Sequence, residues 1–423
     1  MKHLIIRNIG PIEEVSIPIN KVNLFIGPQS SGKSTIAKIL SFCFWLEKYC
    51  VINQGSSLPG KEFMEKKLIS FHNMSRYFRD DSYIKYVGKW IVFEYKSLDD
   101  FSISLGDMSQ AYMGKVAYVP SERNVVSIPN ISSLDMDENY IRGFVFDWLQ
   151  IHRKFTSKNE LNILNLGVKY FYDEEKGDIL SDDKQKEIAL SEASSGLQSV
   201  VPLIVYLFYA TQWIYEHEMD ISFDKYSALQ KAFLKNIGTD LELDDAKLDV
   251  ALSKVAIRKA VNNMLEKMSH GMVDESLVQV KNSMDLLSKP HYTKLVLEEP
   301  ELNLFPLTQY ELVKQVVKNL DFERGDNLVI TTHSPYIMTS FNNLIQAGNA
   351  IADGKDKQNV MDVLGGSCAL DFNVVNAWAV ADGHVKSIND EEFRLLSTDA
   401  LDEASVKIGN DFWVNRMRSP FVT

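Results

Sequence analysis

The chain has 423 residues, 45% hydrophobic and 24% charged, a balance typical of a folded globular protein and not of a disordered or collagen-like one. With 57 acidic against 45 basic residues, its formal net charge is −12, which excludes a generally basic surface, so any DNA contact requires a local patch. Cys43, Cys50 and Cys368 are too few for a disulfide framework and match no zinc motif. The first 18 residues lack the apolar core of a signal peptide, so we expect a cytoplasmic protein.

One apolar stretch tests that expectation. Residues 197–215 carry no charge, and the stretch is just long enough to span a bilayer. It also contains Pro202 and several polar residues, including Gln198 and Thr211, and no other segment resembles it. We therefore expect a buried core helix and no association with a membrane.

In chain order, the N-terminal part predicts strands at 3–7, 15–19 and 22–26, followed by a helix from 34 to about 46. Residues 51–85 are mixed and are interpreted as helix with loops. A hairpin is predicted from 90–95 and 101–105, then a strand at 115–119.

The second half continues the alternation. A hairpin is predicted from 167–172 and a strand beginning at 179, and 197–290 is predicted to be mostly helix, with Asp244 or Asp245 as the N-cap of a run to 268. Strands are predicted at 295–297, 327–331, 374–380 and 385–388, and a closing helix at 402–413. Strands that alternate with helices predict a mainly parallel sheet with antiparallel hairpins added.

One segment matches a phosphate-binding loop, G-x-x-x-x-G-K-[ST], in full; its members are Gly27, Pro28, Gln29, Ser30, Ser31, Gly32, Lys33, Ser34 and Thr35. The backbone N–H groups of such a loop and the start of the following helix hold a triphosphate. Lys33 is expected to reach the β- and γ-phosphates, and the Ser34 hydroxyl to bind magnesium. Because the loop lies between a predicted apolar strand and a predicted helix, we expect ATP and Mg²⁺ as ligands; the alternative is a glycine-rich turn without a ligand.

Two later strand ends carry the polar groups that hydrolysis needs. Residues 294–301 form a short apolar strand that ends in Glu298 and Glu299. Glu298 is expected to hold magnesium through water, and Glu299 to orient the attacking water as a general base. Another strand ends at His333, which is positioned to hydrogen-bond the γ-phosphate. Taken alone, the carboxylates could belong to a charged surface and the histidine could be structural.

In this order the motifs resemble the ABC-type ATPase heads of SMC-like, RecF-like and OLD-like proteins. More narrowly, the chain looks like the bacterial AAA-named ATPases of this superfamily that occur in antiphage defence and repair loci. Residues 116–123 are similar to the strand that enters the family's Q-loop, 190–199 resemble its signature motif, and 302–306 fall where its D-loop belongs. The resemblance covers nearly the whole chain. It implies a P-loop NTPase of α/β class, with an ABC-ATPase-like mixed sheet, antiparallel β additions and a helical insertion.

Two positions depart from the family pattern. The Q-loop glutamine is absent, and Ser121 and Glu122 stand in its place; Glu122 or Arg123 could take over its contact. The first Walker B acid is Glu298 where aspartate is commoner, which favours a water-mediated contact to magnesium over a direct one. Neither departure removes Glu299.

The signature motif implies how two chains would work together. Ser194, Ser195 and Gly196 open the apolar helix, and the resemblance implies that this helix end binds the γ-phosphate held by the P-loop of a second head. The chain is then expected to form a homodimer through ATP. The alternative is that the serines only cap a core helix.

We interpret residues 1–423 as a single elaborated ABC-type ATPase domain. Its parts are a P-loop lobe (1–50), a β-rich and helical insertion (51–190), the signature helix with a helical arm (191–290), and a part with Walker B, the H-loop histidine and a C-terminal hairpin and helix (291–423). The resemblance favours an ATP-driven switch for an effector protein encoded nearby, in antiphage defence. The alternatives are a RecF-like or SMC-like repair ATPase that binds DNA and, less favoured, the cytoplasmic subunit of a transporter.

Overall fold

The computed structural model describes residues 2–53, 58–108, 111–217 and 289–397. Within these residues the strands are β1 (His3–Ile9), β2 (Ile12–Pro18), β3 (Val22–Ile26), β4 (Phe78–Val87), β5 (Ile91–Tyr95), β6 (Phe101–Leu105), β7 (Lys115–Val119), β8 (Leu161–Asn162), β9 (Val168–Asp173), β10 (Gly177–Asp182), β11 (Glu187–Ala189), β12 (Thr293–Glu298), β13 (Asn327–Thr332), β14 (Val375–Ala381), β15 (His384–Ser387), β16 (Asn389–Asp390) and β17 (Leu395–Leu396).

The helices are α1 (Lys33–Ile52), α2 (Lys61–Met64), α3 (Tyr140–Ile151), α4 (Ser195–Phe208), α5 (Ile214–Glu216), α6 (Pro306–Asn319), α7 (Pro335–Ala352) and α8 (Lys357–Leu364). A π-helical turn, Glu65–Ser70, extends α2, and another, Tyr209–Trp213, joins α4 to α5. Short 3₁₀ turns lie at Arg123–Ser127, Ile131–Ser133, His152–Lys154, Leu190–Glu192 and Phe372–Val374.

The large sheet has 11 strands in the order β6-β5-β4-β1-β2-β15-β14-β3-β13-β12-β7. From β14 to β7 all neighbours are parallel. Every residue of β3, β12 and β13 is buried, as expected for parallel strands covered on both faces. In register, Ile26 of β3 pairs with Thr332, and Glu298 of β12 pairs with Thr331. The carboxyl ends of these three strands therefore meet at one edge.

The other half of the sheet is antiparallel, from β2 through β1, β4 and β5 to β6. The antiparallel hairpin of β14 and β15 joins the halves, since β15 pairs with β2. The predicted parallel sheet with antiparallel additions is confirmed, and the antiparallel part is as large as the parallel part. A second sheet of four strands, β11-β10-β9-β8, contains the predicted hairpin around 174–177.

Alternating residues of the central strands enter two cores, because successive strand side chains point to opposite faces. Phe25, Val296 and Val329 join α1 and the antiparallel strands. Leu24 and Ile330 join a core built from α3, α4, α6 and α7. The sheet is thus covered by α1 on one face and by the longer helices on the other.

The predicted core helix is present. Among the described residues, Ser195–Glu216 is the one helical stretch long and apolar enough to cross a membrane. However, residues 199–207 are all buried in the core formed with α3, α6 and α7. The stretch is a core helix of this fold, as its interrupted composition predicts.

One prediction needs correction, one helix was missed, and several predictions lie outside the described residues. The segment 51–85, interpreted as helix with loops, contains most of β4, which pairs with β1 in the middle of the antiparallel half. The sequence analysis also missed α3. The predicted run from Asp244 or Asp245 to 268, most of the helical arm and the closing helix 402–413 lie outside the described residues.

Candidate functional site

The predicted P-loop joins β3 to α1 at the edge where the central parallel strands end. A side chain at Gly27 would put its Cβ 2.2 Å from the carbonyl oxygen of Val380, so only glycine allows the chain to pass. Gly32 has φ 106° and Ser30 has φ 61°, both in the left-handed region that turns the backbone sharply. The loop therefore curves at Ser30 and Gly32, and α1 begins immediately afterwards at Lys33.

The side chain of Lys33 lies inside this loop. Lys33 is 5% exposed, and its Nζ donates to the carbonyl oxygens of Gly27 at 2.8 Å and Pro28 at 2.7 Å. Burial lowers the pKa of Lys33, while the nearby charges of Glu299, Glu301 and Glu298 oppose that shift. The amine is thus held by exchangeable carbonyl contacts beside three carboxylates, where a phosphate could replace the carbonyls as its partner.

Glu298 and Ser34 form the candidate magnesium site. Glu298 closes β12 and is 4% exposed. Its carboxylate accepts a hydrogen bond from the Tyr118 hydroxyl, and the Ser34 hydroxyl lies close enough to favour the charged form. Burial raises the pKa of Glu298 despite these two hydroxyls, so a cation beside the carboxylate would relieve an unfavourable buried charge.

This donor set fits Mg²⁺. The ion prefers oxygen ligands and is commonly bound by one or two carboxylates together with substrate phosphates and water. The described residues contain no group of three or more His, Cys, Asp or Glu side chains that could hold a metal ion alone. A carboxylate and a hydroxyl at the end of a P-loop are therefore suited to an ion that arrives with a nucleotide.

Glu299 differs from its neighbour in both exposure and backbone. Its side chain is 26% exposed, so it can meet a water molecule that Glu298 cannot. Its φ is 42°, in the left-handed region that a residue with a side chain rarely adopts. Its backbone N–H donates to the carbonyl oxygen of Thr331 at 2.9 Å, which fixes the end of β12 against the end of β13.

His333 follows β13 and faces two carboxylates. Its Nδ1 lies 3.8 Å from Oε1 of Glu299 and 3.7 Å from Oε1 of Glu301. Glu301 was missed by the sequence analysis. Its buried carboxylate accepts from the His333 backbone N–H at 2.9 Å and from the Thr332 hydroxyl at 2.7 Å. The only sequence signal was a third acidic residue two positions after Glu299.

The signature residues lie in a different cleft. Ser194 is the N-cap of α4 without a side-chain capping bond, and no acidic residue lies in the first turn. The cleft beside Ser194 and Gly196 is formed with residues 303–305, Leu166, Leu197 and Thr308, and it includes no P-loop residue. A Cβ at Gly196 would lie 2.9 Å from the carbonyl oxygen of Asn303, so glycine is needed here for packing within the chain.

Arg123, one of the two candidates to replace the Q-loop glutamine, is fully buried. Its guanidinium donates only to backbone carbonyl oxygens. The other candidate, Glu122, accepts hydrogen bonds from the hydroxyls of Tyr140 and Ser121. The donors of Arg123 are therefore occupied within the chain, and the replacement of the Q-loop glutamine by either residue stays a prediction.

Apolar side chains are exposed close to both clefts. Phe305 is 72% exposed and Leu307 64%, and they lie at the start of α6 beside the signature cleft. Tyr336, 51% exposed, follows His333 at the start of α7. Large exposed apolar residues that lie together mark surfaces suited to association.

No family model and no curated protein matches this chain. Among solved structures, it is similar to an SMC head domain from Thermotoga maritima, with 10% identity, a TM-score of 0.37 and coverage of 92% of this chain and 98% of that one. It is also similar to an ATP-binding cassette of an ABC transporter, with 12% identity, a TM-score of 0.29 and coverage of 96% and 98%.

A third similar structure is the recombination mediator RecF, with 13% identity, a TM-score of 0.27 and coverage of 91% of this chain and 97% of that one. These solved structures are of the SMC, RecF and ABC-transporter kinds that the motifs resemble. At such TM-scores they carry no argument about chemistry, and the OLD-like part of the resemblance stays a prediction.

Proposed function

We propose that this chain is an ATPase of the ABC type, which binds ATP and magnesium, dimerises on ATP and hydrolyses it to ADP and phosphate. The observation that carries the proposal is the meeting of Ser34 and Glu298. The hydroxyl that follows the P-loop lysine lies close to the carboxylate that ends β12 and favours its charged form. A P-loop and a Walker B acid that meet in this way are the two halves of a magnesium–triphosphate site.

The roles of the residues follow from their environments. The backbone of residues 27–35 and the amine of Lys33 bind the phosphates, and Ser34 and Glu298 hold magnesium. When bound, the ion neutralises negative charge on the phosphate oxygens. Glu299 accepts a proton from water as the water oxygen bonds to the γ-phosphorus and the bond to the ADP oxygen breaks. His333 hydrogen-bonds the γ-phosphate.

A second chain is proposed to complete each site. The cleft beside Ser194 and Gly196 contains no P-loop residue. No acidic residue lies in the first turn of α4, so no side chain of that turn offsets the partial positive charge of this helix end. The exposed Phe305, which lines this cleft, supports an interface along this surface. In the homodimer, α4 of one head would face the γ-phosphate held by the other.

We propose further that the ATP-dependent dimer acts as a switch for a separate effector protein encoded nearby, in antiphage defence and in the cytoplasm. This step depends on the resemblance of the motif order. A reconstituted complex with the product of a neighbouring gene, assayed with and without ATP, tests it: an effector whose activity ignores the nucleotide would contradict a switch.

The ATPase itself is tested with Glu299→Gln and Lys33→Ala, followed by light scattering after size exclusion with ATP and magnesium. Glu299→Gln keeps the shape of the side chain but cannot accept the proton, so it should bind ATP, lose about 10²–10⁴-fold in turnover and accumulate a dimer. Lys33→Ala should prevent ATP binding and ATP-driven dimerisation. Turnover by Glu299→Gln at the wild-type rate would show that the base has been misassigned.

A further inference from the structure

Arg123 opens the 3₁₀ turn Arg123–Ser127, four residues after the end of β7, and it connects two parts of the site that are distant in sequence. It is 0% exposed. Nε donates to the carbonyl oxygen of Ser199 in α4 at 2.9 Å. The two terminal nitrogens donate to the carbonyl oxygens of Glu298 at 2.9 Å, Glu299 at 2.9 Å and Pro300 at 3.2 Å, and to that of Pro120 at 3.3 Å.

These contacts satisfy the five donors of a planar guanidinium without a carboxylate in hydrogen-bond contact. Burial lowers the pKa of Arg123 to about 10, while the charges of Glu301, Glu299, Glu122 and Glu298 oppose the shift. The group therefore stays protonated at neutral pH. A buried charge is tolerated only where it is fully hydrogen-bonded. Here the backbone carbonyl oxygens of Pro120, of Ser199 in α4 and of residues 298–300 supply those bonds.

The segment that Arg123 holds is strained. Glu299 adopts φ 42°, and a side-chain-bearing residue keeps such a conformation only when its surroundings fix it. Arg123 binds the carbonyl oxygens of Glu299 and of both neighbours. The direction in which the Glu299 carboxylate leaves the backbone thus depends on this guanidinium.

A second contact connects the same region to α4. The side-chain amide of Asn303 donates to the hydroxyl of Ser199 at 3.0 Å, and Ser199 is the residue whose carbonyl oxygen accepts from Arg123. Ser199 lies one turn after Ser195 and Gly196 in the same helix. The start of α4 and the end of β12 are therefore fixed to each other within one head.

We propose that Arg123 is a positioning residue that holds the Glu299 carboxylate and the start of α4 in one arrangement. The proposal rests on the proposed function, in which Glu299 is the base and the start of α4 acts on the partner's ATP. Because α4 serves one site of the dimer and Glu299 the other, Arg123 would also transmit a change at one site to the other. The proposal gives Arg123 no contact to the nucleotide, because its donors all bond backbone carbonyl oxygens.

Arg123→Met and Arg123→Lys test this role, and Arg324→Met is the matched control. The Arg324 guanidinium also donates to a carbonyl oxygen of the same long helical stretch, that of Thr211 at 3.2 Å, and it pairs with Asp326 at 2.7 Å. It precedes β13, whereas the ATP site follows the end of that strand. The control thus removes a comparable arginine far from Glu299.

The expected result is a split between turnover and binding. Arg123→Met should lose about 100-fold in kcat, the order expected when a catalytic group is misplaced by about 1 Å. Its Kd for a fluorescent ATP analogue should stay near wild type, because the P-loop is untouched. Arg123→Lys, which keeps the charge and some donors, should recover part of kcat. Arg324→Met should lower the melting temperature and keep kcat.

The proposal is overturned if Arg123→Met keeps wild-type kcat, or if it loses ATP affinity as much as kcat. It is also overturned if the control Arg324→Met loses as much kcat per degree of lowered melting temperature as Arg123→Met does. If Arg123→Met does not fold, the decision passes to Arg123→Lys, whose kcat must then fall at an unchanged Kd. Glu299→Gln separates the two hypotheses. If it still hydrolyses ATP at the wild-type rate, the proposed role of Glu299 as the base fails; if it is inactive while Arg123 variants follow the control, only the positioning role fails.

Discussion

A negative charge placed at the start of α4 distinguishes two roles for this helix end: a cap within its own chain, or a site for the γ-phosphate held by the partner. Ser195 is exposed and is the first residue of α4, whose first turn contains no acidic side chain. Within its own chain, Ser195→Asp should therefore be tolerated, and the added carboxylate should stabilise the helix by about 0.3–1 kcal/mol through the helix dipole. If this end only caps a core helix, the variant keeps its activity.

In a shared site the same carboxylate would face the partner's γ-phosphate. Two like charges about 4 Å apart repel by about 4 kcal/mol at the effective dielectric of a protein surface. We therefore expect Ser195→Asp to lose about 10³-fold in ATP-dependent dimerisation and turnover. Ser195→Asn has nearly the same shape without the charge and is the matched control.

The assay combines phosphate release, light scattering with ATP and magnesium, and urea unfolding of both variants. Ser195→Asp should unfold no more easily than Ser195→Asn, yet only the charged variant should fail to dimerise. Equal turnover by the two variants would refute the interpretation of this helix end as a phosphate site. Earlier unfolding of Ser195→Asp alone would refute the dipole argument.

Three further predictions concern buried polar groups. Glu301→Ala removes the acceptor of two hydrogen bonds that hold Thr332 and His333, so it should lose about 3 kcal/mol of stability and most turnover. Glu301→Gln should lose less of both. If the two variants lose equally in thermal unfolding and in phosphate release, this role of Glu301 is contradicted. Burial lowers the pKa of His72 from 6.5 to about 3, so the unfolded chain takes up the proton first and stability falls as the pH drops below 6.5. Between pH 6.5 and 5 this should cost about 2 kcal/mol, and urea unfolding of His72→Phe should lack that part of the pH dependence; an identical slope would refute it. Lys294 and Glu47 form an ion pair with side chains 3% and 1% exposed, so Lys294→Met should lower the free energy of unfolding by about 3–5 kcal/mol because it leaves Glu47 buried without a partner. Adding Glu47→Leu should recover part of that loss in urea unfolding. No recovery would show that the unpaired Glu47 charge is not the cause of the loss.

The elements predicted from sequence are those with a local signal. The P-loop is encoded within nine consecutive residues, 27–35, because glycines, a lysine and a hydroxyl must follow one another there. The strand that ends at Glu298 is a short apolar run bounded by charge, so its position was also predicted. By contrast, β4 begins with Phe78 followed by three charged residues, Arg79, Asp80 and Asp81, and only its second half alternates buried and less buried residues. Those charges concealed a strand that pairs with β1.

The residues that hold Glu298 and Glu299 in place could not be predicted in the same way. Tyr118 hydrogen-bonds Glu298 across 180 positions of sequence, and Arg123 reaches Glu299 across 176. No periodicity or motif spacing encodes such a contact, since it depends on β7 and β12 becoming neighbours in the sheet. The buried Glu301 was missed for a related reason: its partners are Thr332, which ends β13, and His333, which follows it.

The shared site is the central claim, and mixing two inactive variants tests it most directly. Lys33→Ala damages the P-loop of its chain, and Ser195→Asp damages the helix end that would serve the partner. Each homodimer should be inactive for its own reason. In a mixed dimer, a shared arrangement puts both lesions into one site and leaves the other intact.

The measurement is phosphate release by the re-equilibrated mixture, with dimers followed by light scattering in parallel. Random pairing makes about half of the dimers mixed, each with one intact site of two, so independent sites should restore about a quarter of wild-type turnover under two-fold symmetry. If each site lay within one chain, every site in the mixture would carry a lesion. Mixed dimers that form with ATP yet release phosphate no faster than either variant alone would contradict the shared site.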